Sequence, residues 1–148
     1  MAEFVLKDMV EKRGLIEEFE IASAATSTEE IWMGQGNPVY PPAREELRLH
    51  GIGKTPYTDF TKKRARQVTK ADYGYYDLLL CADQANIRNT LRITGPDTAG
   101  KIHLLLEYAD NPARHSDSIA DPWYTGDFDE TYRDILEGLE GLLSYFGF

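Results

Sequence analysis

The sequence predicts an α/β fold, a three-layer sandwich in which helices cover a short parallel sheet. Short apolar runs typical of strands alternate with amphipathic segments typical of helices along the chain. The run at residues 76–82 is almost continuously apolar, which is typical of a strand buried between two layers. Apolar residues make up 42% of the 148 residues, enough for the core of a single domain spanning residues 1–148.

Three helices are predicted from their ends or from an apolar stripe. The first carries apolar residues at helical spacing between Val5 and Val10 and is expected to stop near Gly14. The second is expected to run from Pro41 to His50, because proline is favoured in the first turn of a helix. The last helix has one long apolar stripe, formed by Tyr132, Ile135, Leu136, Leu139, Leu142, Leu143 and Phe146.

Strands are predicted at residues 19–24, 76–82 and 101–106. Thr69 and Asp83 are expected to cap two further helices, because their side chains can accept a hydrogen bond from the first turn. Two segments rich in glycine, proline or aspartate, 33–42 and 111–127, are expected to be loops.

Charge and cysteine content exclude several classes of protein. The formal net charge of -9 argues against nucleic acid or an anionic membrane as a partner, because both require a positive surface. A single cysteine, Cys81, rules out an internal disulfide framework and a CxxC motif. There is no signal peptide, nucleotide-binding glycine loop or calcium loop, so we expect a cytoplasmic protein with no cofactor and no metal site.

The loop at residues 119–126 is the strongest candidate for a ligand site. Asp121 precedes a proline that restricts it to an extended backbone, from which its carboxyl group can be aimed into a cleft. Trp123 and Tyr124 follow, and packing and ligand binding explain two such aromatics equally well. Cys81 is predicted to be structural, because it ends a buried apolar strand, where a thiol packs as a small hydrophobe. The three histidines, His50, His103 and His115, share no metal-ligand spacing.

Six segments in order resemble the low-molecular-weight protein-tyrosine phosphatase family. They are 23–27 (SAATS), 36–38 (GNP), 50–52 (HGI), 65–69 (ARQVT), 76–83 (YDLLLCAD, with Asn86 beyond) and 121–124 (DPWY). The resemblance implies a four-stranded sheet and hydrolysis of phosphotyrosine proteins or small phosphomonoesters through a cysteinyl-phosphate. The sequence departs from the family pattern at Ala22 and Tyr40. These two changes affect hydrogen bonds within loops rather than the resemblance to the family.

The same resemblance implies roles for individual residues. Asp121 would be the general acid that protonates the leaving phenolate, which otherwise leaves poorly because tyrosine has a pKa of about 10. Trp32, Trp123 and Tyr124 would bind the substrate, with Trp32 and Tyr124 as aromatic walls beside its ring. Ser23 would support the phosphate-binding loop from behind.

The motif that defines the chemistry of the family is not found in this sequence. The family's first, central strand and its C-x5-R phosphate-binding loop precede the M-A-E segment, with which this chain starts, and no C-x5-R occurs in the 148 residues. The predicted first helix also opens without a capping side chain. The chain is therefore expected to be an N-terminally incomplete phosphatase domain without turnover. A mistaken start at an internal Met is a simple explanation, and a biological truncation is the alternative.

Losing a central strand should also change the fold. The expected outcomes are a rearranged sheet, pairing with another chain through exposed strand edges, or a poorly stable product. An alternative function is a pseudophosphatase that binds a protein partner. Two other enzyme classes share the fold of this family. A thioredoxin-coupled arsenate reductase would need further cysteines besides Cys81. A protein-arginine phosphatase would differ in residues of the phosphate-binding loop, which is not found in this sequence.

Overall fold

The computed structural model describes residues 1–110 and 118–148, and part of the predicted loop, with His115, lies outside them. The helices are α1 (Ala2–Lys12), α2 (Pro41–Leu49), α3 (Lys70–Tyr75), α4 (Gln84–Thr94), α5 (Pro122–Thr125) and α6 (Phe128–Tyr145). The strands are β1 (Ile31–Trp32), β2 (Gln35–Gly36), β3 (Leu79–Cys81) and β4 (Ile102–Leu104). Short 3-10 turns occupy Ile16–Glu18 and Leu105–Tyr108. This is the expected α/β fold.

The helix ends follow the local sequence. Thr69 forms a capping box with Asp72 at the start of α3, and Asp83 accepts a hydrogen bond from the backbone N–H of Asn86 at the start of α4. Gly51, which follows α2, has a φ of 74°, a left-handed conformation that glycine adopts without strain. As expected, no side chain caps α1.

The parallel sheet is smaller than the sequence predicts. β3 pairs with β4 in parallel, with Leu79 opposite Ile102 and Cys81 opposite Leu104. The predicted strand at 101–106 ends at Leu104, where the chain turns into the 3-10 segment. Nor is β3 fully buried, because Leu79 and Leu80 are only partly buried, whereas Cys81 is buried.

The predicted strand at residues 19–24 is wrong in the structure. These residues form no ladder, and only the following residue, Ala25, makes a single bridge to Gln67. A strand is defined by pairing, and among the described residues no partner strand is found for residues 19–24. The four-stranded arrangement implied by the family resemblance is thus reduced to one parallel pair.

Two predicted loops contain short elements. The segment 33–42 includes β2, which pairs with β1 in a tight antiparallel hairpin around Met33 and Gly34. The segment 111–127 includes α5, a single turn that begins at Pro122. Both elements are too short to show periodicity, so no pattern of residues indicates them.

The main core lies between the helices on one face of the sheet. Side chains of α1, α2 and α6 form it, and Val10 and Leu47 are fully buried there. Along β3, alternate side chains point to opposite faces: Leu78 and Leu80 pack against this core, whereas Leu79 and Cys81 join a small cluster with Ile87 and Leu91 of α4. The molecule is therefore layered as helices, sheet and helix.

Candidate active site

The loop that carries Asp121 is fixed at the carboxyl end of β3. Ile119 donates its backbone N–H to the carbonyl of Ala82 over 2.9 Å, directly after the strand. On the other side, Thr131 of α6 donates its hydroxyl to the carbonyl of Ala120 over 2.7 Å, and Ala120 donates its N–H to Asp134 over 2.9 Å. Ligands of parallel sheets bind outside this strand end.

The Asp121 carboxylate is exposed and partly engaged. It accepts a hydrogen bond from the N–H of Trp123 over 2.9 Å and so caps α5. This contact uses one oxygen and fixes the rotamer, while the rest of the carboxyl group faces solvent. A carboxyl group in this position can exchange a proton with a bound ligand.

The predicted aromatic residues are strongly exposed. Trp32 is 77%, Trp123 74% and Tyr124 86% exposed. Trp123 packs against Tyr40, with ring centroids 5.9 Å apart, whereas in the described chain Trp32 and Tyr124 contact no other ring. The sequence analysis did not assign Tyr40 to the site, because its contact with Trp123 joins segments far apart in the chain.

Ser23, itself exposed, contacts the buried carboxylate of Glu3 at the start of α1. Its hydroxyl donates to Glu3 over 2.7 Å, and the ammonium groups of Lys7 and Lys63 each lie 2.9 Å from the same carboxylate. Burial raises the pKa of Glu3, but the hydrogen bonds from Ser23, Lys7 and Lys63 outweigh it and leave this pKa below the ordinary value. Sequence reasoning missed Glu3 and Lys63, because the contacts are non-local.

Cys81 has the surroundings of a structural thiol. It is buried, and its sulfur lies 3.8 Å from the hydroxyl of Thr90. Burial raises its pKa, whereas a nucleophilic cysteine requires a lowered one. Its side chain also faces α4, away from the main core.

Arg66 lines the cavity beside residues 77–82, and its side chain is already paired with a carboxylate. Its guanidinium group makes two hydrogen bonds to Asp72, of 2.9 and 3.2 Å. The hydrogen bond from Arg66 also lowers the pKa of Asp72. A phosphate would have to displace this carboxylate, so Arg66 is a poor phosphate ligand.

Glu46, His50 and Asp129 form the one group in the described chain whose ligand atoms, all within 4.8 Å of one another, could hold a metal ion. His50 lies 3.0 Å from Glu46 and 3.8 Å from Asp129, and its ring stacks on Tyr132 with centroids 3.6 Å apart. Spacing among the histidines does not indicate this mixed group, because Asp129 lies far from Glu46 and His50 in the chain. The contact of His50 with Glu46 at the end of α2, and its approach to Asp129 of α6, account for the arrangement.

A groove of about 870 Å³ separates the segment that follows α1 from β3. We call it the central groove. Residues 18–27 form one wall, residues 77–82 form the other, and α1 and α6 form its floor with Leu6, Leu139, Leu142 and Leu143. Asp121 does not line it, but Ile119, two residues earlier, does.

Helices on both faces of a parallel pair, with an Asp-Pro loop at the carboxyl end of β3, define an α/β protein with a candidate site at that strand end. The family model for low molecular weight phosphotyrosine protein phosphatase matches residues 1–146. The chain belongs to this family.

Individual relatives agree with the family model. The chain is 32% identical to the low molecular weight protein-tyrosine-phosphatase YfkJ of Bacillus subtilis, over 97% of this chain and 85% of that protein. It is also 32% identical to the low molecular weight phosphotyrosine protein phosphatase of Mus musculus, over 97% and 84%. The crystal structure of the Bacillus subtilis protein superposes with a TM-score of 0.84, covering 98% of this chain and 84% of that one. In the described residues, no helix is long and apolar enough to cross a membrane.

Proposed function

We propose that this chain carries the acid and aromatic half of a phosphotyrosine phosphatase site. In the reaction, a thiolate attacks phosphorus and the bond from phosphorus to the phenolic oxygen breaks. Asp121 transfers its proton to that oxygen and then accepts a proton from the water that hydrolyses the cysteinyl-phosphate. The observation that carries the proposal is the anchoring of the Asp121 loop to the carboxyl end of β3.

The nucleophile and the phosphate-binding arginine are not supplied by the 148 residues, on this proposal. Cys81 is buried with a raised pKa, and Arg66 is paired with Asp72. We therefore propose that the chain alone does not hydrolyse phosphomonoesters. The missing groups would come with a further segment that carries a cysteine and an arginine beside α1. The substrate would be a phosphotyrosine protein or a small aryl phosphate, held between Trp32 and Tyr124.

The direct test compares the chain with a fusion. The chain alone should give no thiol-dependent hydrolysis of p-nitrophenyl phosphate. A fusion that adds an apolar strand and a Cys-x5-Arg-Ser loop before Met1 should hydrolyse it. The same fusion with serine in place of the new cysteine is the control. Thiol-dependent turnover by the unfused chain would refute the assignment.

Asp121 can be tested in the active fusion. Asp121→Asn keeps the cap of α5 but cannot transfer a proton, so turnover of phenyl phosphate should fall by about 10²–10⁴. The loss should be smaller for a substrate whose leaving group has a low pKa, because that group needs less protonation. An unchanged rate with phenyl phosphate would remove Asp121 from the mechanism.

A second candidate function is a protein-binding module, favoured by the exposure of Trp32 and Tyr124. It requires a cooperative fold without the missing segment and assembly that depends on concentration. A broad, non-cooperative thermal transition would count against it. For both functions we propose a cytoplasmic location, which suits a reduced cysteine such as Cys81.

A further inference from the structure

Residues 44–64 carry an excess of basic side chains that the proposed reaction does not use. This stretch has six lysines and arginines against three aspartates and glutamates, whereas the whole chain has 16 against 25. The side chains of five of the six form no ion pair and no hydrogen bond within residues 1–110 and 118–148. We call these five residues the basic face: Arg44, Arg48, Lys54, Lys62 and Arg64.

The buried ring of Phe60 brings three of these residues together. Phe60 is 3% exposed, and the guanidinium carbon of Arg48 lies 5.4 Å from the centroid of its ring, within the range of a cation–π contact. A Cβ atom at Gly53 would collide with the same ring, so the backbone that leads into Lys54 packs closely against it. Lys62 follows Phe60 by two residues. Arg48, Lys54 and Lys62 therefore surround one aromatic side chain.

The segment that carries Arg64 is fixed beside the start of α2. Within it, the ammonium group of Lys63 turns inward and lies 2.9 Å from the carboxylate of Glu3, whereas its two neighbours in the chain are exposed. Arg64 also forms an antiparallel bridge with Pro38, three residues before the first residue of α2. The bridge places Arg64 near the beginning of the helix that carries Arg44.

The carboxylates of the same stretch leave the basic face positive. Glu46 is buried, 3.0 Å from His50. Asp59 accepts hydrogen bonds from the backbone N–H of Thr61 over 2.9 Å and from its hydroxyl over 2.7 Å. Glu45 is exposed and forms no ion pair in the part of the chain that the structure describes. Five unpaired cations thus stand against two exposed carboxylates.

Arg44 connects the basic face to the candidate active site. Its Nε atom is buried and has no hydrogen-bond partner among the described residues, although buried polar groups are normally paired. The backbone N–H of Arg44 donates to the carbonyl of Tyr40 over 3.0 Å, so the two residues lie one helical turn apart. The ring of Tyr40 in turn contacts Trp123 in the loop of Asp121, with centroids 5.9 Å apart. The basic face therefore begins one turn of α2 away from the candidate site.

Spacing and charge define the ligand that fits this surface. Arg44 and Arg48 lie on one side of α2, about 6 Å apart along the helix axis. Alternate side chains of an extended peptide lie about 7 Å apart on one side, so carboxylates at alternate positions match the two guanidinium groups. A guanidinium group binds a carboxylate through paired hydrogen bonds. Outside residues 44–64 the chain is strongly acidic, and it would repel an extended polyanion such as a membrane surface or a nucleic acid.

We propose that the basic face binds an acidic segment of the protein substrate, an extended stretch with glutamate or aspartate at alternate positions near the phosphotyrosine. The arginines would pair with its carboxylates, and Lys54 and Lys62 would add long-range attraction. This inference rests on the proposed function and goes beyond it, because it names the sequence context that the site would prefer. The contacts lie away from the reacting atoms, so they should lower the KM for a protein substrate and leave kcat unchanged.

The first test measures binding without any catalytic step. A fluorescein-labelled peptide, Glu-Ala-Glu-Ala-Tyr-Ala-Glu-Ala-Glu, is titrated with the 148-residue chain at low ionic strength, and fluorescence anisotropy reports binding. Binding should be saturable and should weaken as salt is added, because salt screens exposed charges. The analogue with glutamine in place of every glutamate should bind at least tenfold more weakly. Equal binding of the two peptides, or no binding of the acidic one, would overturn the inference.

A pair of charge-matched variants locates the binding surface. The double substitution Arg44→Gln and Arg64→Gln should weaken the acidic peptide at least fivefold. The control, Arg88→Gln with Arg92→Gln, removes the same charge from the exposed side of α4 and should change the affinity less than twofold. Equal weakening by both variants would show that only the net charge matters and would refute the assignment. So would tighter binding of phosphatidylserine vesicles than of the peptide through the same two arginines, because the face would then serve a membrane.

The active fusion gives a kinetic readout of the same surface. With the peptide phosphorylated on its tyrosine, Arg44→Gln with Arg64→Gln should raise KM at least fivefold and leave kcat unchanged. Turnover of p-nitrophenyl phosphate, which has no acidic segment, should not change. An equal loss with both substrates would contradict a role in recognising the protein substrate. A fusion without any turnover would refute the proposed function alone, because the anisotropy measurements decide the binding inference independently.

Discussion

The two sides of β3 differ in how completely the chain covers them. On the helical side, α1, α2 and α6 close around a core in which Val10 and Leu47 are 0% exposed. At the free edge of β3, Leu78 and Leu80 are only half-buried, although they are aliphatic and near the middle of the molecule. The helices cover one another through their own apolar stripes, whereas a strand needs a neighbour on each edge.

The largest predicted effect separates the closed core from the open edge. Leu143→Ala removes a side chain that is 1% exposed and should lower the free energy of unfolding by about 2–5 kcal/mol. Leu80→Ala should cost less than about 1 kcal/mol, because its side chain borders a groove that is already empty. Urea unfolding of both variants gives the comparison. Equal losses would mean that the edge of β3 is as tightly packed as the core.

A glycine pair tests the packing of α6 directly. A Cβ atom at Gly141 would collide with the backbone carbonyl of Tyr108, so Gly141→Ala should destabilise by about 1–3 kcal/mol. Gly74 in α3 has open space around the same position, so Gly74→Ala should stabilise by about 0.5–1 kcal/mol. Thermal melts of the two variants should move in opposite directions. A shift of the same sign would contradict the close approach of α6.

The Glu3 network links α1 to one wall of the central groove and should be sensitive to acid. Because the pKa of Glu3 is lower in the folded than in the unfolded chain, its stabilisation is complete above the unfolded value and is lost as the pH falls through the folded value. Glu3→Gln should cost about 1–2 kcal/mol at pH 7. The difference between the two proteins should shrink steadily below pH 5. A constant difference down to pH 3 would show that the charge of Glu3 is irrelevant.

The smallest predicted effect concerns the α4 side of the sheet. Burial shields Cys81 and raises its pKa, so iodoacetamide should label it at least tenfold more slowly in the native chain than in urea. Mass spectrometry of the labelled protein measures both rates. Equal rates would show that this side of the sheet is open as well.

Local sequence predicted the helices other than α5, which lies in a segment predicted to be a loop. The apolar stripe of α6, the proline that starts α2 and the capping residues Thr69 and Asp83 act within one or two turns of the chain. For this reason the sequence alone located them.

The errors arose where structure depends on distant segments. Residues 19–24 have the composition of a strand, but pairing requires a partner that residues 1–110 and 118–148 do not place beside them. The contact of Lys63 with Glu3 and that of Tyr40 with Trp123 were likewise invisible in spacing. The resemblance to the phosphatase family, confirmed by the family model, named the candidate acid and aromatic residues. Their roles stay predictions until the fusion is assayed.

Amide hydrogen exchange of the free chain tests most directly whether an open groove divides the sheet of an otherwise closed fold. The amides of Leu139 and Leu143 in α6 should exchange at least about 100-fold more slowly than those of Leu80, Ala22 and Ala24, which have no partner in the described chain. Equal protection of Leu80 and α6 would show that the edge of β3 is already paired, and the account would be wrong.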